Sequence, residues 1–159
     1  MKSQQEVLSK MMRFCAYQDR SEGEVRDKIA SLKMENVDEE KIIQYLVDER
    51  FIDDQRFAEN YVQSKLRLKG WGRLKLRSQL FQKGISSSIV SQVISTISEN
   101  TYKDACRKHI EKWLRMNRIE DRDFTKIYRF LESKGFERDF IFRHCEAMVK
   151  EIGDESIIK

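Results

Sequence analysis

Leu76, Leu80, Lys83, Gly84 and Ile85 recur further along the chain as Ile127, Leu131, Lys134, Gly135 and Phe136. Val25 and Ile29 stand where a third copy would place its first two members, and Val37 follows after a three-residue insertion. The period is about 50 residues, within the range of stacked helical units. A paired apolar set follows each copy: Ile42, Ile43 and Leu46; Ile89, Val90 and Val93; Phe140, Ile141 and His144. A unit this small cannot bury its apolar face alone, so neighbouring units must cover it. The expected segments are an N-terminal helix over 1–20 and helical repeats over 21–70, 71–120 and 121–159. The last carries a tail from Gly153 that is expected to fray. The pattern leaves open whether the first helix completes the first repeat or lies apart.

The stripes within these segments step as helices do. Val7, Leu8, Met11, Met12, Phe14 and Cys15 share one face. Ser21 caps the next helix, with Glu24 in capping-box position and Val25, Ile29 and Leu32 inward. Asp38 caps a third, with Ile42, Ile43, Leu46 and Val47 inward and Phe51 and Ile52 as anchors after it. Asp53 caps a fourth, and Phe57, Tyr61, Val62 and Leu66 line its buried face. Gly70 and Gly72, around Trp71, break the chain through positive φ. Leu74, Leu76 and Leu80 open a new stripe that ends at Gly84. Ile89, Val90, Val93, Ile94 and Ile97 are β-branched, as in strands, but their spacing is helical. Tyr102, Ala105, Cys106, His109, Ile110, Trp113 and Leu114 form another stripe. Asp121 or Asp123 starts the helix of Phe124, Ile127, Phe130 and Leu131. Phe140, Ile141, His144, Cys145 and Met148 mark the last. The chain has no proline and only 6 glycines in 159 residues, too little punctuation for sheets and long loops, so the expected class is all-α.

Charge is segregated. No Asp or Glu occurs over 60–98, which carries Lys65, Arg67, Lys69, Arg73, Lys75, Arg77 and Lys83. The preceding stretch, 35–59, is rich in acids, and only Lys41, Arg50 and Arg56 are basic. Mixed charges coat solvated helix faces; separated signs favour an anionic partner. The net charge of +4 is modest, so the basic character is local. No apolar run approaches the ~20 residues that span a bilayer, and the first residues lack the apolar core of a signal peptide. Cys15, Cys106 and Cys145 are odd in number and far apart, which excludes a disulfide framework and points to a reducing cytoplasm.

The stretch from Arg50 to Ile85 resembles a known family. FIDDQRFAENYV, then KGWG, then LRSQLFQKGI, in that order, is similar to the RecX family of bacterial regulators of the RecA recombinase. The ordered set is specific, each motif alone is weak, and the similarity thins toward both ends. The resemblance implies tandem three-helix repeats in an elongated, curved molecule. It also implies a non-enzymatic protein that lodges in the groove of the RecA–DNA filament and suppresses ATP hydrolysis, strand exchange and coprotease activity; the chain is expected to be a monomer.

Candidate contact residues follow from charge. Lys65, Lys69, Arg73 and Arg77 step by four, the spacing of neighbours on one helix face, and are expected to form one line flanked by Arg67 and Lys75. Arg107, Lys108 and Arg115 belong to a second basic surface that also holds Lys103 and Lys112. Such cations bind the phosphates of single- or double-stranded DNA without reading its bases. Trp71 either plugs a junction between repeats or stands exposed beside Lys69 and Arg73; Trp113, on an apolar stripe, is expected in the core. Cys106, His109, His144 and Cys145 have zinc-type donors, yet their inward helical positions fit buried core residues, and no metal or cofactor is expected. Asp53 and Asp54 read as capping residues rather than an acid–base pair. Lys69-Gly70-Trp71-Gly72 lacks the spacing of a phosphate loop. No Ser, His and Asp set has catalytic context. The rivals to filament binding are sequence-tolerant binding to bare DNA and a scaffold that meets an acidic partner.

Overall fold

The structure, a computed structural model, describes residues 3–158, with side chains through Asp154. Among the described residues it contains nine helices and no strand: α1 Gln4–Tyr17, α2 Glu22–Ser31, α3 Glu39–Asp48, α4 Asp54–Lys69, α5 Arg73–Gln82, α6 Ser87–Ser95, α7 Glu99–Met116, α8 Thr125–Ser133 and α9 Arg138–Ile158. The all-α expectation holds, including the β-branched segment, which forms α6 and buries Val90, Val93 and Ile94. At the C-terminal end α9 is described as helix through Ile158. A Cβ at Gly153 would meet open space. Among the described residues no helix is long and apolar enough to cross a membrane.

Caps set where the helices start. Ser21 Oγ accepts from the Glu24 amide while Glu24 Oε1 accepts from the Ser21 amide, closing the capping box of α2. Asp53 accepts from the Arg56 amide at the start of α4. Its neighbour Asp54 turns to α2 and accepts from the Glu22 amide at 2.8 Å. The two carboxylates thus serve the N-termini of two helices, whose free N–H groups and dipoles favour negative charge. The start of α8 is capped from neither expected residue alone: Phe124 occupies the cap, and Asp123 accepts from the Thr125 amide.

Three helix ends share a second device; at the end of α3 the Phe51 amide donates to the Leu46 carbonyl after Arg50 at φ +60°. The Ile85 amide donates to the Leu80 carbonyl and the Phe136 amide to the Leu131 carbonyl. Gly84 and Gly135 precede them at φ +79° and +97°. This is the Schellman closure, in which a left-handed residue lets the chain fold back and an apolar residue packs on the last turn. Ile85 and Phe136 are accordingly buried.

The chain divides into two compact units. The first comprises Met1–Tyr61 and Gln79–Val93. Its core joins Val7, Met11 and Cys15 of α1 to Val25 and Ile29 of α2 and to Ile42, Ile43 and Leu46 of α3. The N-terminal helix therefore packs on both helices that follow it. Val47, expected inward, is exposed at the far side of α3. In the same unit the Ser21 hydroxyl donates to the Lys83 carbonyl at 2.7 Å, and Lys83 Nζ pairs with Glu24 at 3.3 Å.

The second unit comprises Val62–Ser78 and Ile94–Lys159. Its core is Tyr102, Cys106 and Ile110 of α7, Ile127 and Leu131 of α8, and Phe140, Ile141 and Cys145 of α9, with Leu66 and Phe136. At the start of α5, the Gly72 amide donates to the Lys134 carbonyl (2.7 Å) and the Leu74 amide to the Gly135 carbonyl (3.0 Å). Leu74 spends its backbone on this joint, while its side chain is exposed rather than part of the expected stripe. Gly70 takes φ +64°, as the sequence requires, but Gly72 is needed for a different reason. A Cβ there would lie 2.3 Å from the Gly135 carbonyl group and 2.4 Å from the Phe136 nitrogen.

Gly72→Ala should therefore cost about 2 kcal/mol, since backbone on the opposing side cannot give way as a flexible side chain would. Gly153→Ala, facing open space within α9, should be neutral or stabilise by about 0.5 kcal/mol through the lost backbone entropy of glycine. Thermal melts followed by ellipticity check the pair; equal melting temperatures would show that the close approach at Gly72 carries no weight.

Candidate functional site

All nine candidate cations lie in the second unit, and the structure sorts them into three groups. Arg73 and Arg107 are held by acids of the same unit. Arg73 Nη1 is 3.0 Å from Glu137 and Nη2 is 3.9 Å from Glu99, and the guanidinium lies 3.9 Å from the centre of the Tyr102 ring. Its side chain is only 21% exposed. The Arg107 guanidinium spans Glu111 (3.2 Å) and Glu151 (2.8 Å). Lys65 and Lys75 are half-buried, with Nζ atoms 5.3 and 4.9 Å from the centre of the Trp71 ring. Trp71 is thus a half-buried residue flanked by cations. Arg67, Lys69, Arg77, Lys108 and Arg115 are exposed.

The continuous line of Lys65, Lys69, Arg73 and Arg77 is therefore interrupted at Arg73, whose charge faces inward to Glu137. Tyr102 completes this knot. Its hydroxyl donates to Glu137 and accepts from the Arg73 amide at 2.8 Å. Burial by itself would raise the Glu137 carboxyl, but hydrogen bonds from Tyr102, its own backbone amide and Arg73 outweigh burial and hold it below the ordinary glutamate value. Burial, reinforced by Glu137, pushes the Tyr102 hydroxyl well above the ordinary tyrosine value.

A cleft of 960 Å³ opens in the same unit, where the end of α4 faces α7. Arg67 and Lys69 from α4, Lys108 and Lys112 from α7 and Lys134 after α8 line it; Asp104 is the acid among its lining residues. The two basic surfaces read separately in the sequence converge here through Arg67, Lys69 and Lys108. Lys112 was visible as a neighbour on α7. Lys134 was seen only as a member of the repeated motif. The apolar part of the lining includes Leu66, Ile97, Trp113 and Phe130. Trp113 is half-buried: it packs against the core of α7, α8 and α9, as its stripe implied, and also lines this opening. Lys65, Arg73, Lys75, Arg77, Arg107 and Arg115 lie outside the lining.

His109 fixes the back of the cleft. Its Nε2–H donates to the Gly70 carbonyl at 2.9 Å, so the proton sits on that nitrogen. Burial lowers the imidazole pKa, with Lys134 and Lys112 adding to the effect against the Gly70 bond. The ring is neutral at physiological pH and structural in role. A Cβ on Gly70 would lie 2.5 Å from Nε2. Cys106 and Cys145 are buried thiols raised by burial to about 12, far from the thiolate state that reactivity or metal binding needs. Among the described residues no group of three or more His, Cys, Asp or Glu could hold a metal ion.

The knot makes a prediction about acid. A depressed folded-state pKa adds stability that is present above the ordinary glutamate value of about 4.3 and is lost as pH falls through the folded value. Glu137→Gln should lower stability near neutral pH by about 2 kcal/mol, the scale of a charge-assisted hydrogen bond. It should also flatten the loss of stability below about pH 5. Urea unfolding across that range checks both, and an unchanged acid slope would remove Glu137 from the account.

Residues 53–94 match the family model for the second three-helix domain of RecX. A protein of Clostridium tetani named regulatory protein RecX is 38% identical over 129 residues, which are 79% of this chain and 59% of that one. This chain thus spans under two thirds of the clostridial relative's length. A regulatory protein RecX of Chlorobium phaeobacteroides is 32% identical over 127 residues, covering 79% of this chain and 82% of its own. The crystal structure of RecX from Lactobacillus salivarius superposes with a TM-score of 0.80 at 25% identity, covering 94% of this chain and 96% of that one. Sequence and fold agree over most of the molecule, and the chain belongs to the RecX family.

Proposed function

We propose that this chain binds the RecA–DNA filament and restrains RecA, including its ATP hydrolysis, with no chemistry of its own. The observation that carries the reading is the set Arg67, Lys69, Arg77, Lys108 and Arg115. These five are exposed in a unit whose other candidate arginines, Arg73 and Arg107, are tied to acids. Exposed cations of this kind neutralise phosphates and release counterions, which gives affinity without base readout. Lys65 and Lys75 beside Trp71 extend the same side of the sequence. Family membership supports a regulatory role. The geometry supports a binding rather than a catalytic one: His109 is neutral and hydrogen-bonded, and the buried thiols are protonated.

The test is ATP hydrolysis by RecA filaments on single-stranded DNA with the purified protein added. Hydrolysis should fall as protein is added. Lys69→Glu with Arg77→Glu should weaken that inhibition at least about tenfold and make its salt dependence shallower as phosphate contacts are lost. Both residues are exposed, so the fold should change by no more than about 0.5 kcal/mol. The control, Arg13→Glu with Lys41→Glu, reverses two exposed charges of the first unit and should inhibit like the parent. Equal inhibition by both double variants would place the contact elsewhere. Binding to bare DNA with no preference for the filament would favour sequence-tolerant DNA binding instead.

A further inference from the structure

We infer that the cleft facing α4 and α7 seats an acidic peptide segment of a partner protein, anchored by an aliphatic side chain. This goes beyond the filament reading and does not depend on it. The charged and the apolar parts of the lining ask for different chemistry. Five cations line the cleft against Asp104 alone, so the complementary ligand is anionic. Leu68 and Met116, also in the lining, are 68% and 83% exposed. Large apolar side chains left in water beside charge mark a surface that a partner covers, and methionine adapts to whatever apolar group it meets.

These apolar residues separate a peptide from a nucleic acid. Single strands bind by stacking successive bases on open aromatic faces. Here most of the rings are occupied. His109 is hydrogen-bonded to Gly70 and meets Phe130 and Phe136 edge-on, each at 6.0 Å. Phe130 also carries Lys134 Nζ 5.4 Å from its ring centre. Trp113 is left as a half-buried ring, while the remaining apolar lining is aliphatic: Val62, Leu66, Leu68, Ile97, Ala105 and Met116. An aliphatic lining interspersed with five cations fits a leucine-like anchor with carboxylates on either side. The volume of 960 Å³ lies at the upper end of the range for small-molecule sites, enough for an anchor and its flanking residues.

The probe is a short fluorescein-labelled synthetic peptide of Asp and Glu with one central leucine, titrated with the full chain and read by anisotropy. A second peptide carries alanine in place of the leucine, and an unlabelled oligothymidylate serves as competitor. The leucine peptide should bind, and its alanine counterpart should bind at least about tenfold more weakly, as loss of a buried leucine side chain implies. Met116→Glu, at an exposed position, should weaken the leucine peptide by a similar factor; Lys112→Glu should do so too, with a shallower salt dependence. Lys41→Glu, exposed in the first unit and outside the lining, should leave it within about twofold. Equal binding of the two peptides, or indifference to both Met116→Glu and Lys112→Glu, overturns the proposal. Displacement by oligothymidylate that is itself lost in Met116→Glu would assign the cleft to nucleic acid. The peptide arm contains neither DNA nor filament, so failure there and failure of the filament reading are separate results.

Discussion

The joint between a helix N-terminus and a lysine–glycine–apolar turn organises both compact units. In the first, the start of α2 meets the turn Lys83-Gly84-Ile85: the Ser21 hydroxyl bonds the Lys83 carbonyl, and a Cβ on Gly23 would lie 2.5 Å from the Lys83 oxygen. In the second, the start of α5 meets Lys134-Gly135-Phe136 through the Gly72 and Leu74 amides. The acceptor is the same in both, while the donor is a cap hydroxyl in the first and backbone N–H groups in the second. A helix start has N–H groups without partners, and a Schellman turn presents carbonyls with capacity to spare. Glycine is needed on the turn for its positive φ and on the incoming strand of backbone for close approach. The apolar residue after the turn then enters the core. The repeated motif in the sequence is thus the receiving half of a joint, and the donor half differs in the two places.

That asymmetry explains what could be read and what could not. Helical stripes and caps depend on residues three or four apart, so Ser21 with Glu24, Asp53, and the apolar faces of α1, α2, α6 and α9 were legible. Asp54 was legible as a cap, but not the helix it serves, because α2 starts 32 residues back. The need for Gly72 was misassigned to φ because the obstructing backbone is at Gly135. Val47 and Leu74 sit at stripe edges where a step of one residue decides between core and water, and no local rule settles that step. The cleft depended on Lys134 arriving beside Lys108 and Arg67, which only the fold provides.

Charge shows the same limit more sharply. The separation of acid from base in the sequence suggested a surface for an anion, yet part of it is internal. In the first unit Arg26 pairs with Glu22, Glu39 and Glu40, and Arg56 pairs with Asp19. Exposed pairs of this kind contribute little to stability, but they do neutralise charge that would otherwise be offered to a partner. In the second unit Glu137 and Glu151 remove Arg73 and Arg107 from the candidate surface from 64 and 44 residues away. Counting cations along the chain therefore overstates the surface available to phosphate.

Arginine is the fitting residue at position 73 for reasons that lysine could not meet. Its planar fork reaches Glu137 and Glu99 from separate nitrogens while its face lies on the Tyr102 ring, a combination a point charge cannot make. The same residue's amide is accepted by the Tyr102 hydroxyl, and its neighbours on either side, Gly72 and Leu74, donate to the turn after α8. Three consecutive backbone N–H groups at the start of α5, those of Gly72, Arg73 and Leu74, are thereby satisfied, and the Arg73 side chain closes the joint with charge. Stability and surface charge thus make opposite demands on the stretch where α4 ends and α5 begins. Arg73 is assigned to the first, which leaves Arg67, Lys69 and Arg77, on either side of it, to the second.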